Sequence, residues 1–372
     1  MSFSRGLMLG ATALGFAAML ASPALAADIT KVNLAPNKKG TVADLQPMSK
    51  FCGAKKIKVA FSDGWGGNYW RHITRAEFED EAAKCKNITE TRYTDGEGKP
   101  EKQIADIEGL VAQHFDVIVA FMDGGAAIDK ATREATQAGV AVVPFDTGAA
   151  SDTFPGKIGR DYVDRVTEDQ GEVGEQFAMW LAKTLHGKGN IVLYGGTPGN
   201  PMTAAQEAGW QVVFKKYPNI KVLDGEPVPT NWDPALAQQK TAALIAKYPE
   251  IDGIYSETTG PIRAFIAAGK PVPVYVGQSL MDLSCLAADH PNFKMASMDA
   301  HTWMVRLALR KGVAAAEGIN DTEPSLITIP FTEDNTSKNP KLKIKCDKQM
   351  PMDSIPSSML TKTEQLTALG GK

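Results

Sequence analysis

From residue 56 onward the chain alternates short apolar runs with longer stretches whose apolar positions recur every three or four residues. Short apolar runs suit strands, and the longer period suits amphipathic helices. This predicts strands over 56–61, 88–95, 116–121 and 140–145, with helices over 68–86, 99–114 and 125–138 between them. The run at 116–121 is almost wholly apolar, as in parallel strands covered on both faces. The same alternation then restarts. Helices are expected over 164–186, 203–217, 234–248, 261–268, 281–289 and 301–317. Strands or extended segments are expected over 190–194, 220–227, 251–256, 272–276, 293–298 and 326–330. Short connections between alternating strands and helices give parallel α/β layers. Two such arrays predict an α/β protein of two Rossmann-like lobes, the chain crossing between them at 157–164. Residues 28–50 carry no clear period and read as an extended lead-in. The segment beyond 334 is rich in Pro, Lys, Ser and Thr.

Polar and aromatic residues cluster where the strands end, which is where open α/β sheets bind ligands. The first cluster is the richest. Residues 61–71 read Phe-Ser-Asp-Gly-Trp-Gly-Gly-Asn-Tyr-Trp-Arg and supply Asp63, Trp65, Asn68, Trp70 and Arg71. Later strand ends supply Asp123, then Asp146-Thr147, Thr197 to Asn200, Thr230-Asn231-Trp232-Asp233, Glu257-Thr258-Thr259, Gln278-Ser279 and Asp299. Flat rings beside hydrogen-bonding side chains suit a small, ring-like, polyhydroxylated ligand. Each member has an ordinary alternative: Trp65, Tyr69 or Trp70 would pack a helix onto the sheet, and Asp233 before Pro234 would cap one. The series, repeated in both arrays, points to one cleft between two lobes.

At 372 residues and 43% hydrophobic content the chain can bury two cores. Its formal net charge of −3, with both signs interspersed, offers no footprint for nucleic acid or for a membrane surface. Residues 1–26 read as an export signal: Arg5, a short apolar stretch, then Ala24-Leu25-Ala26 as the cleavage pattern. Cleavage after Ala26 would leave a soluble exported chain. Export makes the four cysteines interpretable as disulfides. Cys52 precedes the first strand and Cys85 ends the first helix, on the same face of a βα unit. The expected pairs are therefore Cys52–Cys85 and Cys285–Cys346, each contributing roughly 4 kcal/mol by chain entropy.

Catalytic signatures are missing. A dinucleotide fingerprint beginning at Gly64 would need glycine where Tyr69 stands. There is no phosphate-binding loop and no nucleophile elbow. His72, His114, His186, His290 and His301 have no metal-ligand spacing. The reading is a binding protein with no metal and no cofactor.

Together these features resemble the type I periplasmic solute-binding proteins of ABC importers, within them the ribose- and galactose-binding group, over roughly residues 56–331. The group's Asn-x-aromatic turn is matched by Asn68-Tyr69-Trp70-Arg71. The resemblance thus implies Asn68 as a hydroxyl ligand and Trp70 as a stacking ring. It further implies Asp146 at a strand end, Asp161 at the crossover, Trp232 on the other sugar face and Asp299 before the last long helix. The chain departs from the group at Thr147 and Gln206, where arginines are usual, and at Glu257-Thr258-Thr259 and Gln278-Ser279. Asp63, Trp65, Arg71, Asp123, Gln206, Thr258 and Gln278 complete the expected ligand set. The implied organisation is a signal peptide (1–26), an extension (27–55), lobe 1 (56–160 plus 300–327), lobe 2 (161–299 plus 328–345) and a tail (346–372). The implied function is a monomeric periplasmic receptor that closes on a monosaccharide or sugar alcohol and delivers it to a permease with its ATPase. Two alternatives stay open: delivery to a chemoreceptor or sensor, and a secreted carbohydrate-active enzyme built on a carboxylate pair such as Asp63, Asp146 or Asp299.

Overall fold

The computed structural model describes residue 1 and residues 28–146, 156–198 and 200–370. The expected export signal lies almost wholly outside these residues, and Thr147 lies outside them too. The chain begins with a short strand β1 (Lys39–Gly40) inside the lead-in. Lobe 1 then follows as β2 (Ile57–Asp63), α1 (Tyr69–Ala83), β3 (Ile88–Asp95), α2 (Pro100–Ala112), β4 (Val117–Phe121), α3 (Asp129–Gln137) and β5 (Ala141–Pro144). Its sheet is parallel in the order β3-β2-β4-β5.

Alternation along these strands feeds two separate cores, because successive side chains leave a strand on opposite faces. Val59, Phe61, Val117, Val119 and Val143 join the cluster of Ile73 and Phe78 from α1. Ala60, Ile118, Ala120 and Val142 join the cluster of Ile107 and Leu110 from α2 and Ala131 and Ala135 from α3. Both faces of the sheet are thus buried, which is why 116–121 reads as unbroken apolar sequence.

The chain crosses over through β6 (Thr167–Glu168) into α4 (Gln170–Thr184), β7 (Lys188–Gly195), α5 (Pro201–Phe214), β8 (Asn219–Val222) and β9 (Val228–Pro229). It continues through α6 (Pro234–Lys247), β10 (Gly253–Ser256), α7 (Gly260–Ala267), β11 (Val274–Gln278), α8 (Met281–Asp289) and β12 (Met295–Met298). Then α9 (Met304–Glu317) returns to lobe 1 and packs on β4, β5 and α1. After α9, β13 (Leu326–Ile327) pairs with β1 and β6 in a small parallel sheet beside the crossovers. β14 (Phe331–Asp334) re-enters lobe 2, whose sheet runs β14-β12-β11-β10-β7-β8.

Several boundaries differ from expectation for local reasons. The helix expected from 164 starts at Gln170, because 167–168 pair with β13 and Asp169 caps the helix by accepting from the Glu172 amide. The strand expected over 220–227 ends at Val222, before Asp224 and Gly225, both with positive φ, and β9 forms only beyond it. β14 runs antiparallel to β12, so the lobe-2 sheet is mixed at that edge. The tail holds a further helix, α10 (Lys362–Ala368), opened by a capping box between Thr361 and Glu364.

Cys52 is joined to Cys85 and Cys285 to Cys346. The first bond fixes the lead-in to the end of α1, and the second fixes the tail to α8. Buried charge joins α1 to α9: Arg306 pairs with Glu77, Asp80 and Glu81, and Arg310 with Glu81 at 2.6 Å. No helix among the described residues is long and apolar enough to cross a membrane.

Glu323, after α9, accepts from the Gln46 amide at 2.5 Å and faces Arg310 at 3.2 Å. Burial, partly offset by Arg310, pushes its pKa up from 4.5 to about 7. The folded chain therefore holds this proton over a range where the unfolded chain has lost it. Glu323 should make the protein less stable as pH rises from about 4.5 to about 7. Melting temperatures of Glu323→Gln and the parent, compared across that window, should diverge in favour of the variant as pH rises and run parallel above it.

Candidate functional site

The cleft between the lobes is a cavity of about 770 Å³. On the lobe-1 side it is built by the turn that ends β2 and opens α1. Asn68 is extended (φ −127°) and accepts the Arg71 amide at 2.9 Å, capping the helix so that Trp70 and Arg71 fall in its first turn. The Arg71 side chain is buried. Its Nη1 donates to Asp63 Oδ1 at 2.6 Å, and its Nη2 to Asp123 Oδ1 at 3.0 Å. Its guanidinium carbon lies 3.4 Å from the centre of the Phe121 ring, a cation–π contact. Asp63 is fully buried and also accepts from the Tyr93 hydroxyl at 3.1 Å. Burial raises its pKa to about 6 despite the opposing pull of Arg71.

Trp70 is only 8% exposed. Its indole donates to the Ala300 carbonyl at 2.7 Å, and its ring lies parallel to Phe145. Trp65, 36% exposed, is the open ring on this side.

On the lobe-2 side Asn231 and Trp232 both have positive φ, 52° and 54°. Side chains seldom adopt that conformation, so the surroundings must hold it. The Trp232 indole donates to Glu257, whose other oxygen accepts from Tyr255 at 2.8 Å and Gln206 at 3.2 Å. The Trp232 ring lies flat over Gly196, where a Cβ would come within 2.2 Å of it. Gln206 also donates to Gln170 at 2.8 Å, and among the described residues the donors to Glu257 are neutral.

Between the lobes lie Asp146 and His301, with φ of 52° and 46°. His301 Nε2 is 3.2 Å from Asp146 and 3.4 Å from Glu168 of β6. Burial disfavours the imidazolium, but the carboxylates of Asp146 and Glu168 outweigh it and raise the His301 pKa well above normal. Burial, and then Asp146, push Glu168 up as well.

Of the residues expected from sequence, Trp65, Asn68, Trp70, Arg71, Asp123, Asp146, Trp232, Thr258 and Gln278 line the cleft. Asp63 sits behind Arg71. Gln206 and Asp299 border a small neighbouring cavity of about 20 Å³. Asp161 is not brought to the cleft: it ion-pairs with Arg133 and Arg160 and accepts the Lys157 amide at 2.6 Å, pinning the crossover loop. Tyr69, Phe121, Asn231, Glu257 and His301 line the cleft without having been in the expected set. Glu257 stood in the strand-end series. His301 carried no signal beyond its place two residues after Asp299.

Comparison with known proteins agrees with this architecture. A family model described as a periplasmic binding protein domain matches residues 59–319. The xylitol-binding protein of Mycolicibacterium smegmatis is 26% identical over 262 residues, 69% of this chain and 72% of that protein. The galactofuranose-binding protein of Escherichia coli is 29% identical over 177 residues, 47% of this chain and 54% of that protein. Among solved structures, an ABC transporter solute-binding protein from Thermobispora bispora superposes with a TM-score of 0.65 at 20% identity, covering 85% of this chain and 97% of that one. The fructose-binding periplasmic domain of a hybrid two-component system gives 0.65 at 19% identity, covering 76% and 91%. At these identities the superpositions speak for the fold.

Arg71→Met should leave Asp63 buried without its cation. Breaking a buried pair from one side costs about 3–5 kcal/mol. Urea unfolding of the variant should show a loss of that order, and Asp63→Asn in the same background should recover part of it.

Proposed function

The chain belongs to the periplasmic binding protein family, and on that premise we propose that it is the substrate-binding component of an ABC transporter, taking one monosaccharide or sugar alcohol into the interlobe cleft and delivering it to a membrane permease. The observation that carries this reading is the composition of the cleft. Rings from both lobes, Trp65 and Trp232, border a space rich in carboxylates and amides, among them Asp123, Asp146 and Glu257 with Asn68, Asn231 and Gln278, and its cation Lys99 lies beside Glu97. Hydroxyl hydrogens seek such acceptors, and the C–H faces of a sugar or polyol seek the rings. Arg71 is already committed to Asp63 and Asp123, which disfavours an anionic solute such as a sugar acid. Relatives named for binding xylitol and galactofuranose support a neutral polyhydroxylated ligand. They also support a receptor rather than an enzyme, acting in the periplasm as the family does.

The site residues enter this reading as proposals. Asn68 turns its amide nitrogen to the solute, because its oxygen is engaged in capping α1. Trp232 supplies the lobe-2 face. Closure by hinge motion would bring it onto the solute, as in other two-lobed binders.

A thermal-shift screen of the full exported chain against pentitols, hexitols, aldopentoses, aldohexoses and furanose sugars tests the reading, since a ligand of the folded state raises the melting temperature. One neutral polyol or sugar should stand out, with no response to aldonates. A response confined to charged solutes would overturn it. For the ligand found, Trp232→Ala should weaken binding by about 2–4 kcal/mol by calorimetry. Gly196→Ala, which displaces the ring without touching the solute, should weaken it in the same direction.

A further inference from the structure

Asp146, Glu168 and His301 come from three different passages of the chain between the lobes, yet one donor atom from each lies within 4.8 Å of the others. The proton inventory of His301 is constrained. Its Nδ1 is 3.0 Å from the Asp299 carbonyl oxygen, which can only accept, so Nδ1 carries hydrogen. That leaves Nε2 facing two carboxylates. A lone pair there would meet two ionised carboxylates, so either a proton or a metal ion belongs between the three groups.

A proton is the simplest candidate, yet the contacts are longer than a single charge-assisted hydrogen bond. Charge-assisted N–H···O bonds settle at roughly 2.7–2.9 Å, whereas Nε2 stands 3.2 Å from Asp146 Oδ1 and 3.4 Å from Glu168 Oε1. Among the described residues, Asp146 Oδ1 has no hydrogen-bond partner beyond the long contact to His301 and Glu168 Oε2 has none, although the two residues are only 5% and 1% exposed. A tetrahedral metal with N and O bonds of about 2.0–2.1 Å holds its ligand atoms about 3.3 Å apart. The two observed distances bracket that value.

The surroundings are also those of ligating groups. The second nitrogen of His301 is fixed by a backbone carbonyl, and Glu168 accepts from Gln170. Such outer contacts orient imidazole and carboxylate ligands. The cavity of about 20 Å³ bordered by Glu168 and His301 has room for a single water.

We propose that Asp146, Glu168 and His301 form a divalent-metal site at the junction of the lobe crossovers, with water from the adjoining cavity as the fourth ligand. One imidazole and two carboxylates suit Zn²⁺. A metal there ties the end of β5, β6 and the segment before α9 to one point, so it stiffens the hinge. Asp146 and His301 also border the cleft, so the ion lies next to the solute. The assignment is independent of which solute the cleft holds.

The test uses the full chain, stripped with chelator and free of sugar, titrated with Zn²⁺ alone. Calorimetry and elemental analysis should find one ion per chain. Co²⁺ in its place should give the strong visible absorption of a tetrahedral centre. Glu168→Gln keeps shape and hydrogen bonding while removing a charged ligand. It should weaken Zn²⁺ binding at least about tenfold and abolish the Co²⁺ band, while His290→Gln at an exposed histidine leaves both unchanged. No binding by the parent chain, or equal binding by Glu168→Gln, would overturn the proposal. The parent stoichiometry and spectrum decide it even if the variant folds poorly.

Discussion

The buried guanidinium of Arg71 is the interaction on which the cleft depends. It gathers the end of β2 through Asp63, the end of β4 through Asp123 and the Phe121 ring, all from the first turn of α1. A cation taken this far from water persists only with partners of opposite charge and satisfied donors. The strand ends and the helix start are therefore held in one arrangement. Trp70 next to it is wedged between Phe121, Phe145 and His301, and its N–H is tied to Ala300 in the return crossover. Through that contact the lobe-1 wall is tied to the return crossover.

The opposite wall solves the same problem without a cation. Glu257 is held by the indole of Trp232, the phenol of Tyr255 and the amide of Gln206. Neutral donors leave its charge uncancelled toward the cleft. Asn231 and Trp232 are kept in a left-handed conformation above Gly196. Backbone strain of this kind survives where surrounding contacts over-determine it, and here it aims a ring across the cleft. Asp146 and His301 carry the same conformation in the crossovers, as does Glu97 after β3, so five non-glycine residues of this kind line the cleft among the described residues.

The α/β layering and the place of the cleft at the strand ends were legible in sequence because both follow from local pattern. Short apolar runs and amphipathic stretches alternate along the chain, and the largely parallel order follows from that alternation. The turn over 61–71 was legible for the same reason: glycines, a cap and rings stand together within one short stretch. The roles inside it were not. The Asn68 oxygen proves to cap α1, which leaves only its amide nitrogen free for the cleft, and the Trp70 N–H proves to be bound to residue 300. Arg71 reads as a free clamp until Asp63 and Asp123 are found on either side. Asp161 reads as a cleft residue until two arginines and a backbone amide are found to occupy it.

What the sequence determined by itself is therefore the elements, the likeness to an exported two-lobed receptor and the richest loop, since each rests on neighbours in the chain. Tertiary structure alone decided which polar groups are already spent. Hydrogen bonds and ion pairs are satisfied by whatever the fold brings near, however distant in sequence. Residues 146, 168 and 301 show this most plainly. No spacing rule links them, and only the convergence of the crossovers sets two carboxylates against one imidazole.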